Sequence, residues 1–204
     1  MKRFAEACDR NQAPILEVLK TILPDSGKVL EIGSGTGQHA AYFSRSLSNL
    51  SWQPSDLAEA LPSIEAWREE SCAKNLNSPI VIDLFGNNET LSSVDVIVCI
   101  NVVHIVAWEG VEHLFKIANR ILNSKGVIYF YGPYRYADRR LEPSNEAFHH
   151  WLTKNNTASG IRDYAAVESL AHHNGFSLGG DRSIPSNNRS IWWVRQTTEQ
   201  QNDR

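Results

Sequence analysis

The stretch Glu31-Ile32-Gly33-Ser34-Gly35-Thr36-Gly37 constrains this chain more than any other. Val29 to Ile32 reads as a short strand delivered straight into three glycines, and Ala40, Phe43 and Leu47 keep one face of the next helix apolar. Glycines at such a junction let backbone come close to a ligand at a helix N-terminus, although they also serve simply to reverse a chain. The spacing narrows the field. A dinucleotide fingerprint wants glycine where the chain has Gln38, and no lysine follows the loop in the manner of a phosphate-binding P-loop.

The rest of the chain alternates short strands and helices. Ile15, Leu16, Leu19, Ile22 and Leu23 recur at helical spacing ahead of the loop, with Asn11 available as a cap and Pro14 tolerated in the opening turn. Leu50 to Gln53 and Pro79 to Ile82 read as strands, separated by a helix over Leu61 to Ala73. Val94 to Ile100 is a nearly continuous apolar run, as a strand buried on both faces requires. Val111, Leu114, Phe115, Ala118, Ile121 and Leu122 then trace one helix face, and Val127 to Tyr131 the next strand. Phe176 to Ile184 and Ser190 to Arg195 read as a hairpin turning at Pro185 to Asn188. The pattern predicts one α/β domain over residues 1–196, a doubly wound, mostly parallel sheet of seven strands whose last strand is antiparallel, followed by a polar tail at 197–204. The segment 135–161 breaks the alternation; it is polar, with Phe148, Trp151 and Leu152 suggesting a short helix, and reads as a lid.

Composition excludes several classes. With 20 Lys+Arg against 23 Asp+Glu, the formal charge is −3 and phosphate-backbone binding is not expected. Cys8, Cys72 and Cys99 are odd in number and form no C-x-x-C, which speaks against a disulfide framework or a cysteine zinc site. Neither a signal-peptide core nor an apolar run of spanning length is present, so the cytoplasm is the expected location, with no membrane association.

Asp56 ends the second strand, where a carboxylate can take both ribose hydroxyls of a nucleoside; its plainer reading is a turn or cap in Pro54-Ser55-Asp56. With Glu31, Gly33, Ser34, Gly35 and Gly37, it resembles the signature of class I S-adenosylmethionine-dependent methyltransferases. The resemblance runs over residues 28–196 and implies S-adenosylmethionine as cofactor, with Leu57 beside the ribose, Asp83 and Leu84 at the adenine, and Asn101 and Asn11 also on the cofactor. A narrower likeness is carried by Asp9-Arg10-Asn11, Trp52 to Asp56, Asn101 to His104, Gly132-Pro133-Tyr134, Pro143-Ser144-Asn145, Gly160 to Asp163 and Ser186 to Asn188. These blocks resemble a small methyltransferase-like family classed as a domain of unknown function, whose animal member is methyltransferase-like protein twenty-six. The chain departs from it at His149-His150, where an acid is expected after Phe148.

Methyl transfer asks an enzyme to orient its acceptor and, where needed, to take a proton. His104 is the candidate base or orienting donor, beside Asn101; its alternative is a hydrogen-bonded histidine at a strand–helix junction. Arg10 and Arg162 are candidates for a carboxylate through bidentate pairing, and Arg10, His104, Arg162 and Asn188 are expected to converge at the carboxyl edge of the sheet. Tyr134 and Asn145 complete the expected acceptor side. Asp163 has a plainer reading as a helix cap. No histidine or acid cluster has metal-ligand spacing, and Asn101 lacks the two prolines of the box found in base-methylating enzymes, so a small-molecule acceptor is expected rather than nucleic acid. A cofactor-binding protein without catalysis is the first alternative; a nicotinamide-dependent oxidoreductase is the second, disfavoured by the loop spacing.

Overall fold

The computed structural model describes residues 1–196; the polar tail expected at 197–204 lies outside the described residues. Seven strands form one sheet: β1 (Gly27–Ile32), β2 (Leu50–Asp56), β3 (Ile80–Val81), β4 (Val94–Ile100), β5 (Leu122–Gly132), β8 (Phe176–Ile184) and β9 (Asn188–Arg195). Their order is β3-β2-β1-β4-β5-β9-β8, parallel except that β9 inserts antiparallel to both its neighbours. Two short strands, β6 (Tyr134–Arg135) and β7 (Arg162–Asp163), pair separately. No helix among the described residues is long and apolar enough to cross a membrane.

The apolar run of β4 is buried on both faces, as its composition requires. Val96, Val98 and Ile100 meet α1 (Glu6–Ile22) and α2 (Gln38–Ser46), whereas Ile97 and Cys99 meet α4 (Trp108–Ile121) and α6 (Tyr164–His173). On the second face Phe115, Phe130, Phe176 and Trp193 pack ring against ring. α3 (Leu61–Ser71) packs beside α2, and α5 (Pro143–Asn155) belongs to the 135–161 segment.

Two elements differ from the sequence-based expectation. α1 starts at Glu6 rather than near Asn11, so Pro14 lies inside the helix and its missing N–H leaves one carbonyl without its usual partner. Long-range bonds hold the early start, since Arg3 N donates to Ser63 Oγ at 2.8 Å and Ala5 N to Gln38 Oε1 at 2.6 Å. α5 is longer than its apolar pattern suggested. Leu152 and Asn145 are buried, and Asn145 Nδ2 donates to the carbonyl of Asn187 in the β8–β9 turn at 3.0 Å. Polar bonds to distant backbone therefore do the holding that apolar periodicity does elsewhere.

β1 carries a carboxylate into the interior. Glu31 is 1% exposed, and Trp52 Nε1 of β2 donates to its Oε2 at 2.7 Å. Burial pushes the Glu31 carboxyl up to about 7, against the opposing effect of the indole bond. A folded-state value above the unfolded one means that this group's stabilisation is complete below about pH 4.5 and is lost as the pH rises through 7. Glu31→Gln, which keeps an oxygen for Trp52, is expected to flatten that loss. In urea unfolding at a series of pH values, the variant should gain on the wild type by roughly 2–3 kcal/mol between pH 5 and 8.

Candidate functional site

The glycine loop, the end of β2 and the end of β4 open at the carboxyl edge of the sheet. Ser34 N donates to the carbonyl of Ser55 at 2.9 Å and Ser55 Oγ to the carbonyl of Glu31 at 2.7 Å, so loop and β2 are stitched together. Asp56 spans the junction: Oδ2 accepts from Gly35 N and Oδ1 from Leu57 N, both at 2.7 Å. Each oxygen keeps a further lone pair, so the carboxylate can still accept a pair of ligand hydroxyls.

Two of the glycines do different work. At Gly37, φ is +95° and a Cβ would come within 2.7 Å of the Ile64 Cα, so glycine is needed for α3 to pack. At Gly35, φ is +60° but a Cβ would meet nothing within 4 Å. The protein leaves that space open, on the side where a ligand would approach backbone closely. These features fit S-adenosylmethionine: Asp56 and Leu57 would hold the ribose, the loop the aminoacyl portion, and Asp83 and Leu84 the adenine edge. Asp83 Oδ1 accepts from Phe85 N at 2.9 Å, and the Leu84 carbonyl accepts from His113 Nδ1 at 3.0 Å, which shapes the turn after β3.

Asn101 ends β4 with φ at +59°, a left-handed conformation that asparagine tolerates. Its Oδ1 and the ring of His104 both border Gly132 at the end of β5, so Asn101 and His104 share one wall of the site. His104 is 3% exposed, stands edge-on to Phe148 of α5, and has no hydrogen-bond partner for its ring nitrogens among the described residues. Burial, reinforced by the charge of Arg162, pulls it down to about 4, so the imidazole is neutral at pH 7.

Arg162 is placed behind that histidine. Its Nε donates to the carbonyl of Val103 at 3.0 Å, and Nη2 donates to those of Ala158, at 2.8 Å, and Val106. The Gly160 amide donates to the carbonyl of His104 at 2.9 Å, and Ser159 Oγ to that of Ile105 at 2.5 Å. The guanidinium thus organises the backbone around His104 in preference to presenting a fork to a carboxylate. Arg10 pairs with Glu6 at 3.3 Å on the exposed flank of α1. Asn188 Nδ2 donates to the Ser186 carbonyl within the β8–β9 turn, whose Ser186 and Asn187 are left-handed. Tyr134 is buried in the core behind β5, where burial keeps its phenol protonated, and Asn145 ties α5 to that turn. Asp163 Oδ1 accepts from Ala166 N at 3.1 Å and caps α6.

Several residues that the sequence did not single out close over the loop. Gln38, the residue that broke the dinucleotide spacing, accepts from Ala5 N and Thr36 Oγ1 and donates to Asp9. Arg3 Nη2 donates to the Gly35 carbonyl at 2.9 Å, and Trp67 Nε1 to the Arg3 carbonyl at 2.8 Å. Only Gln38 had a local signal, its position straight after the last glycine.

Solved structures share the fold. An O-methyltransferase family protein from Burkholderia thailandensis superposes with a TM-score of 0.81 at 15% identity, over 95% of this chain and 58% of its own. Human N-acetylserotonin methyltransferase, solved with S-adenosylmethionine, gives 0.77 at 16% identity over 94% of this chain and 53% of its own. A family 2 O-methyltransferase from Planctomyces limnophilus, solved with apigenin, gives 0.78 at 12% identity over 93% and 60%. The chain therefore spans a little over half the length of these structures and carries their Rossmann-like methyltransferase fold. The family model described as "Protein of unknown function (DUF938)" matches residues 2–195, and the chain belongs to that family.

Proposed function

We propose that the chain is an S-adenosylmethionine-dependent methyltransferase, as the narrower likeness to the methyltransferase-like family also suggests, and that it acts on a small molecule in a reducing, cytoplasmic setting. The observation that carries the reading is one edge holding both halves of the machinery. A ligand-open glycine loop closed by Asp56 lies across β4 from a neutral, unpartnered His104. The solved neighbours, O-methyltransferases by name, favour a hydroxyl as the accepting group.

When bound, the cofactor supplies an electrophilic methyl on sulfur, open to in-line displacement. Asp56 would fix the nucleoside end and the glycine loop the aminoacyl portion, which leaves the edge between Asn101 and His104 for the acceptor. The His104 imidazole is too weak a base, at about 4, to strip a hydroxyl beforehand. It would orient the acceptor hydroxyl and take its proton, and the Arg162 charge behind it would then favour release of that proton to solvent, restoring the neutral ring.

Calorimetry is expected to show binding of S-adenosylmethionine and its demethylated product, and none of NAD. Gly35→Ala should change folding stability by only about 1–2 kcal/mol, the cost of its left-handed φ, while weakening the cofactor strongly. Cofactor binding with no turnover on a broad metabolite panel would instead favour the non-catalytic alternative.

For an active acceptor, His104→Gln is expected to lower turnover by about 10²–10⁴-fold with cofactor affinity intact. The wild-type rate should be level from pH 6 to 8 with respect to His104 and fall only towards about 4, whereas an unperturbed histidine would break near 6.5.

The segment 135–161 would act as the lid. Trp151, 59% exposed, stacks on Phe148, which in turn meets His104, so the indole extends the acceptor wall outward. Trp151→Ala should leave cofactor affinity unchanged and impair turnover. Amides 140–155 should gain hydrogen-exchange protection when both ligands bind; equal protection with and without ligands would make the segment scaffold.

A further inference from the structure

His149 follows Phe148 in α5, at the position where an acid is expected from the sequence. The fold gives its ring one well-defined partner. Nδ1 lies 3.1 Å from the backbone nitrogen of Ile161, twelve residues on, and a backbone N–H can only donate, so Nδ1 is the acceptor. The single proton of the neutral ring therefore sits on Nε2. The imidazole is also closely seated. A Cβ on Gly160 would come within 3.0 Å of its Cε1 and 3.2 Å of Nδ1, so the chain passes under the ring at contact distance.

What this bond joins is the lid helix and the backbone that fixes His104. On one side, the Gly160 amide donates to the His104 carbonyl at 2.9 Å, and Arg162, one residue beyond Ile161, binds the carbonyls of Val103 and Val106. On the other side, α5 carries Phe148, whose ring stands 5.3 Å from that of His104. Asn145 Nδ2 ties the first turn of α5 to the Asn187 carbonyl, and Asn187 Nδ2 reaches Ser144 Oγ. His149 ties the middle of the helix, one residue after the aromatic side chain that meets the site.

The bond holds only while the ring is neutral. In the imidazolium both nitrogens donate, and Nδ1–H would face the Ile161 N–H donor to donor. The charged groups around the ring come from three elements: Arg135 of β6, Arg162 of β7, and His150 and Glu146 of α5 itself. Burial, with Arg135, His150 and Arg162, pulls His149 below the ordinary histidine value, and Glu146 opposes them. The neutral, accepting ring is thus the resting form at neutral pH. We propose that His149 is a positioning residue for the site, a clasp whose bond to Ile161 holds α5 and Phe148 against His104 and lets go when the ring takes a proton. Its bearing on turnover rests on the reading that the chain is a methyltransferase with its acceptor beside His104.

Two variants separate accepting from titrating. His149→Asn offers an amide oxygen to Ile161 and takes no proton; His149→Leu keeps bulk and accepts nothing. Hydrogen exchange at the Ile161 amide of the ligand-free chain, corrected for intrinsic exchange, is the readout. Wild-type protection is expected to fall by at least about threefold as the pH is lowered from about 8 to 4.5. His149→Asn should hold its protection level with pH, and His149→Leu should be unprotected throughout. Nitrogen-15 NMR of the wild type at neutral pH should show the His149 proton on Nε2. For an active acceptor, His149→Leu should raise its KM by about threefold or more with cofactor affinity unchanged, and His149→Asn should restore it. Wild-type protection of Ile161 that ignores pH, full protection in His149→Leu, or the proton on Nδ1 would overturn the assignment. The exchange measurement needs neither cofactor nor acceptor. A chain that gives the expected exchange pattern but binds no S-adenosylmethionine would therefore overturn the methyltransferase reading and leave the clasp in place.

Discussion

Glu31 sits where the sheet and the site are least separable. A carboxylate with 1% exposure is tolerated only because Trp52 donates to it from the neighbouring strand and because its charge can be given up at an accessible pH. The same residue lends its backbone carbonyl to Ser55 Oγ, and the Ser55 amide in turn donates to Ser34 Oγ at 3.2 Å. The register of β1 against β2 and the path of the glycine loop are thus set by one small hydrogen-bonded block. Asp56, one residue beyond Ser55, inherits its position from it and closes on Gly35. A ligand that bonded Asp56 would be reading the outcome of a buried interaction two strands wide.

Above that block, the N-terminal segment acts as a strap. Arg3, Ala5 and Asp9 bond the loop or the residue after it, and Trp67 secures the strap from α3. The arrangement is polar throughout, which suits a part of the protein that must admit a polar ligand. Apolar packing of the kind found around Phe115 would bury this edge irreversibly.

Whatever rested on local pattern was legible in the sequence. The continuous apolar run appears as β4 over the same residues, Val94 to Ile100, and the periodic positions of α4 all lie in the core. The hairpin at Phe176 and the insertion of its second strand antiparallel to β5 follow the expected order. What was not legible depends on partners far away in the chain. α1 begins early because Ala5 meets Gln38, 33 residues on, and Arg162 turns inward onto carbonyls 56 to 59 residues before it. An arginine looks the same in sequence whether it forks onto a ligand or onto three carbonyls.

The two buried histidines make the same physical point from opposite ends. His39 and His104 are both pulled to about 4 by burial, and both are therefore fixed donors or acceptors rather than titrating groups at neutral pH. His39 has its proton committed to Asn11, so its neutrality serves geometry. His104 has no hydrogen-bond partner for its ring among the described residues and an arginine behind it, so its neutrality leaves one ring nitrogen with an available lone pair just past β4. A low value arising from burial alone costs stability as the pH falls towards 4, since the unfolded chain then binds protons that the folded one refuses. Both rings stay neutral across the range in which Glu31 titrates. The consequence is a site whose hydrogen-bond polarity is set by packing and holds steady through neutral pH.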